Sequence, residues 1–164
     1  MIVRAEPVVW QRIASDLPWE HLYLAEPVAR TRIAAAIAAV FDVPVARVGV
    51  FGPADVLRRM AATGMAVDVW CYPKRGDLPL SMDIQRNGDG PAPDGLALAT
   101  HLARTLGTAC VTGIRLVWGT RSGWCDLRVW PDGRRERVVL AENHGVERDP
   151  PLLIAEVLAL PEMG

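Results

Sequence analysis

The sequence has few cysteines, almost no lysine and no long apolar run, and each shortage narrows the kinds of protein that it can encode. Its three cysteines, Cys71, Cys110 and Cys125, form no CxxC pair and leave an odd count. This pattern predicts free, buried thiols in a reducing compartment. No apolar run approaches the ~20 residues of a membrane-spanning helix, and residues 1–10 lack the apolar core of a signal peptide. We therefore expect a soluble, cytoplasmic protein that has no contact with a membrane.

The signatures of catalysis and of metal binding are also missing. The sequence contains no GxSxG, HExxH, Walker or GxGxxG motif. The histidines, His21, His101 and His144, are scattered, and none lies at the i, i+3 or i+4 spacing of a metal site. We predict that the protein uses no metal and no cofactor, and we interpret His21 as a surface or edge histidine.

The charge balance argues against nucleic acid as a partner. The formal net charge is −1, so the chain lacks the basic surface that attracts phosphate backbones or anionic membranes. Its basic side chains are 17 arginines and a single lysine. This usage fits the codon bias of a high-GC genome, and it also fits the bidentate contacts that arginine makes at interfaces.

Two strand-rich units, residues 67–86 and 114–140, show alternating apolar and polar residues. In the first unit, Val67, Val69 and Cys71 alternate with polar or aromatic residues, and a return strand follows a turn at residues 73–77. The second unit repeats the alternation, and Cys125 has the apolar parity. A period of two places alternate residues on opposite faces of a sheet, so we expect the apolar set to be buried.

Four helices are predicted around these strands. The strongest lies at residues 33–41, which are apolar all round and therefore typical of a core helix. A second follows Gly52, and we expect it to turn its valine, leucine and methionine side chains, at 56, 57 and 60, towards the core. A third ends at Gly107, and a last helix is predicted over residues 152–160.

These elements predict a single α+β domain over residues 1–164. We expect a mixed, mainly antiparallel sheet of five to six strands, with about four helices packed on one face. A shared order of apolar, Asp, apolar and polar residues at 82–85 and 125–128 hints at an internal duplication that relates residues 28–87 to residues 95–141. The strand order stays open.

The other face of the two units is predicted to carry the side chains that are typical of binding hot spots, namely Trp, Tyr and Arg. An aromatic sheet face could also stack the bases of a single-stranded nucleic acid, but three aspartates on this face argue against a phosphate backbone. If helices cover the face instead, its tryptophans belong to the core. The predicted binding residues are Trp70, Tyr72, Asp83, Trp124, Asp126, Arg128 and Trp130.

The sequence therefore predicts a non-enzymatic module that binds another protein and acts by occluding its surface. A cytosolic inhibitor, such as the immunity-type partner of a bacterial toxin, is the concrete version. The alternative is a small enzyme or ligand-binding domain that uses carboxylates on the sheet face, Asp83 with Asp126, or the loop residues Glu142, Asn143 and His144. The sequence names neither a partner, nor a substrate, nor an oligomeric state.

Overall fold

The computed structural model describes residues 11–13, 19–90, 94–118, 121–141, 148–158 and 160, and all of its strands belong to one sheet. The strands are β1 (Gln11–Ile13), β2 (Trp19–Leu24), β3 (Val48–Phe51), β4 (Val67–Pro73), β5 (Leu80–Arg86), β6 (Cys110–Trp118), β7 (Arg121–Val129), β8 (Arg135–Leu140) and β9 (Ile154–Leu158). The helices are α1 (Arg30–Phe41), α2 (Val56–Ala61) and α3 (Gly95–Leu106), and Val45–Arg47 forms a short 3₁₀ turn.

The sheet is mixed and mainly antiparallel. Eight strands follow the order β3-β4-β5-β2-β6-β7-β8-β9, in which β3 and β4 run parallel. The short β1 pairs with residues 115–117 of β6, beside β2, because β7 occupies the other edge of β6. The expected five to six strands and four helices are therefore wrong, since the described residues form nine strands and three α-helices.

α1 and α3 pack on one face of the sheet, which we call the covered face. Ile33 and Ile37 of α1 and Leu98 of α3 are fully buried in one cluster with the inward residues of the strands. The prediction of a core helix at residues 33–41 is confirmed, and its apolar circumference is explained because α1 contacts both α3 and the sheet. Neither these helices nor α2 is long and apolar enough to cross a membrane.

The C-terminal end of α3 and the state of the three cysteines also agree with the sequence predictions. The Asp94 carboxylate accepts a hydrogen bond from the Ala97 backbone N–H at 3.1 Å, which caps the helix, and Gly107 ends it at a φ of 68°. All three cysteines are buried and free, as predicted. Burial raises the pKa of the Cys110 thiol to about 12, so this thiol stays protonated at neutral pH.

α2 lies over the opposite face, at the β3 edge, so the expectation that all helices pack on one face is wrong. Its Arg59 Nε donates to Asp68 Oδ2 at 2.6 Å, and the Arg58 guanidinium lies 4.5 Å from the centre of the Phe51 ring. Phe51 and Asp68 point away from α1 and α3, because their neighbours along the strands, such as Val69, point towards them.

The predicted inward face of α2 is exposed. Val56, Leu57 and Met60 are 53%, 77% and 75% exposed, whereas Arg58 and Arg59 donate hydrogen bonds to the sheet. A helix of six residues has fewer than two turns, so three apolar residues do not fix which side it buries. The buried Asp68 carboxylate needs a cationic partner, and α2 supplies one by turning Arg59 towards the sheet.

A last helix is predicted over residues 152–160, but residues 154–158 of this segment form strand β9. Leu152 forms a bridge with Gly76, and β9 pairs antiparallel with β8. The Ile154 backbone N–H donates to Asp77 Oδ2 at 2.8 Å. A short apolar run fits a helix or a strand equally well, and the free edge of β8 decides between them because it offers hydrogen bonds to an extended partner.

The sheet is strongly curved. Four strands separate β5 from β9 in the strand order, yet Asp77 in the turn before β5 reaches the first residue of β9. On the face away from α1 and α3, Leu78, Val111 and Val138 form a second small buried cluster. Side chains from the β4–β5 turn, β6 and β8 can meet there only if this face is the inner side of the curve. We call it the concave face.

Candidate functional site

The predicted binding residues of the strands lie on the concave face. Trp70 lies opposite Asp83 across β4 and β5, and Asp126 lies opposite Gly113 across β6 and β7. α1 and α3 leave this face uncovered, and α2 reaches only its β3 edge. Trp124 is 72% exposed. The other predicted residues are half-buried, namely Trp70, Tyr72, Asp83, Asp126, Arg128 and Trp130.

His21 and Asp83 form a pair near the centre of this face. β2 pairs with β5 so that His21 lies opposite Asp83, and the imidazole Nδ1 is hydrogen-bonded to Asp83 Oδ1. A carboxylate only accepts, so Nδ1 carries the proton, and in the neutral ring Nε2 accepts from the Ser81 hydroxyl at 3.4 Å. The Tyr23 ring meets the imidazole edge-on, with 4.6 Å between the ring centres. The imidazole is therefore held on three sides.

Asp126 lies on the other side of His21. Leu22 pairs with Thr112, which places His21 beside Gly113, and Gly113 pairs with Asp126. A Cβ on Gly113 would lie 3.6 Å from Asp126 Oδ1 and 3.8 Å from Trp124 Cε3, so the glycine leaves a notch beside both side chains. No described side chain donates a hydrogen bond to the Asp126 carboxylate.

The ionisable groups around His21 influence one another's pKa values. Burial raises the pKa of Asp126, and the charge of His21 opposes that rise. Burial also raises the pKa of Tyr23, and the charges of Asp126 and Asp83 raise it further. The two carboxylates that the sequence offered as a pair therefore flank His21 and act on the same tyrosine.

A second cluster holds Arg128 and Trp130 in place. Arg128 donates to Glu136 Oε2 from Nη2 at 2.6 Å and from Nε at 2.9 Å, and Trp130 Nε1 donates to the same oxygen at 3.1 Å. The guanidinium groups of Arg128 and Arg134 lie 4.7 and 4.9 Å from the Trp130 ring. These contacts, the Arg128 hydrogen bond first, lower the pKa of Glu136. The Trp130 side chain therefore makes a hydrogen bond and cation–π contacts within the chain, whereas the Trp124 side chain is mostly exposed.

The hydrogen bonds link Ser81 to His21 and His21 to Asp83, as a nucleophile, a base and an orienting acid are linked in a catalytic triad. Ser81 is too buried to act as the nucleophile. Ser81 is only 3% exposed, between Tyr72 and Tyr23 on the flanking strands, so its hydroxyl is out of reach of a substrate. Within the described ranges, no group of three or more His, Cys, Asp or Glu side chains could hold a metal ion. The candidate loop residues Glu142, Asn143 and His144 lie outside the described residues.

Sequence reasoning missed His21, Tyr23 and Ser81. Residues 21–24 alternate correctly for a strand, but nothing local shows that β2 inserts between β5 and β6. Because of this insertion, His21 lies near the centre of the concave face and not at an edge of the sheet.

Comparison of the chain with models of protein families, with curated proteins and with solved structures finds no match.

Proposed function

We propose that the chain is a protein-binding module whose concave face receives another protein. The observation that carries this proposal is the exposure of two tryptophans on that face, Trp124 at 72% and Trp19 at 48%. Trp19 lies opposite Gln85, on the same side of the sheet as Asp83. Tryptophan offers a large rigid contact area, and it is among the residues that contribute most to binding energy at protein interfaces.

The groups between the two tryptophans suit a partner that carries basic side chains. The half-buried Asp126 carboxylate receives no hydrogen bond from a described side chain, and the notch at Gly113 leaves room beside it. A guanidinium or ammonium group placed there would supply the donors that this carboxylate lacks. Arg128 is already paired with Glu136, so it contributes packing more than free positive charge.

In its narrower form, the proposal is that the chain is a cytosolic inhibitor that covers a partner's functional surface, as the immunity-type partner of a bacterial toxin does. The sequence lacks recognised catalytic motifs, and a concave aromatic face can enclose a convex surface.

A second candidate, a small enzyme or ligand-binding domain, is favoured by one observation. His21 is oriented by Asp83 and faces Asp126 across the Gly113 notch, which is the arrangement of an oriented base beside a second carboxylate. In that case His21 would accept a proton from a bound molecule. His21→Gln would then abolish turnover, whereas under the binding proposal it would only weaken a complex.

The test is to isolate a partner with the full chain from the native lysate and then to measure its dissociation constant for purified variants. We expect Trp124→Ala to weaken binding at least about 30-fold, equivalent to the roughly 2 kcal/mol of a hot spot. Val45→Ala is the matched control, because this side chain is 55% exposed in the 3₁₀ turn and lies off the concave face. Equal affinity for Trp124→Ala and the unmodified chain would contradict the proposal.

A further inference from the structure

A cavity of about 350 Å³ opens between the start of α1 and the β4–β5 hairpin, away from the concave face. Its walls are apolar and come from both elements, with Val28 and Ile33 on one side and Pro73, Pro79 and Leu80 on the other. Pockets for small molecules typically enclose about 300–1,000 Å³ behind mainly apolar walls. This cavity is therefore large enough for a small ligand.

Both charged side chains that line the cavity among the described residues are cationic. They are Arg30 and Lys74, and no acidic side chain of the described ranges belongs to the lining. The positive charge of Arg30 acts on the cavity wall. Burial raises the pKa of the Cys71 thiol there to about 11, and the charge of Arg30 opposes this rise. An anionic group at the mouth of the cavity would be attracted, and a cationic group would be repelled.

Both cations already contact carboxylates, and both contacts are open to solvent. Arg30 Nη1 donates to Asp55 Oδ2 at 2.8 Å, and Lys74 Nζ lies 3.0 Å from Asp149 Oδ1. Neither carboxylate lines the cavity, and the two cationic side chains are 53% and 30% exposed. Solvent-exposed ion pairs contribute about 0–1 kcal/mol, so a bound anion can share these cations at little cost.

We propose that this cavity binds a small amphipathic anion, with its apolar body against Ile33 and Leu80 and its carboxylate between Arg30 and Lys74. The site is separate from the concave face, and it does not depend on protein binding there. The unbranched carboxylate octanoate combines both features and serves as the probe.

The test is calorimetric titration of the full chain at pH 7 with octanoate, octan-1-ol and octylammonium. We expect octanoate to bind saturably at one site and at least fivefold more tightly than the alcohol, and the cation not to bind. Arg30→Gln and Lys74→Gln should each weaken octanoate binding at least fivefold. Arg104→Gln is the control, because this exposed arginine lies on α3 outside the cavity.

Three results would overturn the proposal: no saturable octanoate binding, equal binding of octanoate and octylammonium, or unchanged affinity in both cavity-charge variants. Val28→Phe adds a separate check, because the larger ring fills the cavity from its half-buried wall. Octanoate binding that persists undiminished in Val28→Phe would place the ligand elsewhere and would also overturn the proposal. If Val28→Phe does not fold, the two charge variants still decide, because both replace partly exposed side chains.

Discussion

His21 and Asp83 face each other across β2 and β5, and their hydrogen bond joins two residues that lie 62 positions apart in the chain. The two side chains are 37% and 44% exposed, so the pair is fixed in position yet remains accessible from the concave face. It divides this face into two halves. Trp70 lies beside Asp83, and Asp126 lies beyond Gly113 on the other side.

The first prediction concerns the half-buried carboxylate of Asp126. Burial raises its pKa in the folded protein, so ionisation is less favourable there than in the unfolded chain. The folded state then binds more protons above the ordinary Asp pKa of about 4, and this carboxylate lowers stability as the pH rises through the folded pKa. Asp126→Asn should melt at a higher temperature than the unmodified chain at pH 7, and the difference should vanish towards pH 3.

Differential scanning calorimetry between pH 3 and pH 7 measures this difference. Asp89→Asn is the control, because it removes the same charge from an exposed position and should not raise the melting temperature at pH 7. A lower melting temperature for Asp126→Asn at pH 7 would mean that the carboxylate is stabilised where it stands.

Glu136 should behave in the opposite sense. The Arg128 and Trp130 hydrogen bonds lower its pKa, so its ionised form adds stability above the unfolded pKa of about 4.3, and this stability is lost as the pH falls through the folded pKa. Glu136→Gln should lower the free energy of unfolding at pH 7 by on the order of 1 kcal/mol, a modest value because the Glu136 side chain is 23% exposed. Urea titrations should find no such loss near pH 2.

The third prediction tests the core helix. Ile37 is fully buried between the sheet and α3, so Ile37→Ala should cost about 2–5 kcal/mol of unfolding free energy. Ile37→Val, which removes a single methylene, should cost only about 0.5–1.5 kcal/mol. Denaturant midpoints that shift by less than the equivalent of about 1 kcal/mol for Ile37→Ala would place α1 at the periphery.

Much of the fold was predictable where one local period dominates. Residues 67–86 alternate so regularly that β4 and β5 begin and end at the predicted limits, Val67 and Arg86. α3 was equally clear, because Gly107 stops an amphipathic helix. In both cases the local spacing of apolar residues is enough to predict which side of the element is buried.

The errors occur where distant partners decide the structure. Residues 154–158 form a strand because β8 supplies backbone partners, and Gly76 pairs with Leu152 just before it. α2 turns Arg59 towards the sheet because Asp68 is buried beneath it. The candidate site shows the same division. Its aromatic and acidic members were found from alternation, but His21 was missed because the position of β2 in the sheet is set by long-range pairing. The internal duplication stays a prediction.

The last prediction separates two tryptophans that the sequence treats alike. Trp124 is 72% exposed, so Trp124→Ala should change the free energy of unfolding by less than about 1 kcal/mol, as substitutions of exposed side chains usually do. Trp130 donates to Glu136 and lies against two guanidinium groups, so Trp130→Ala should cost about 1–3 kcal/mol. Trp130→Phe, which keeps a ring but loses the N–H donor, should fall between the two.

Urea unfolding measures these free energies, and iodide quenching of the folded variants gives an independent reading. Trp124→Ala should lose a red-emitting, readily quenched component of the fluorescence, because an exposed indole contacts both water and iodide. Trp130→Ala should leave that component in place. If Trp124→Ala instead costs more than about 2 kcal/mol and leaves the quenching unchanged, Trp124 packs within the fold, and the proposal of a binding face loses one of its two exposed tryptophans.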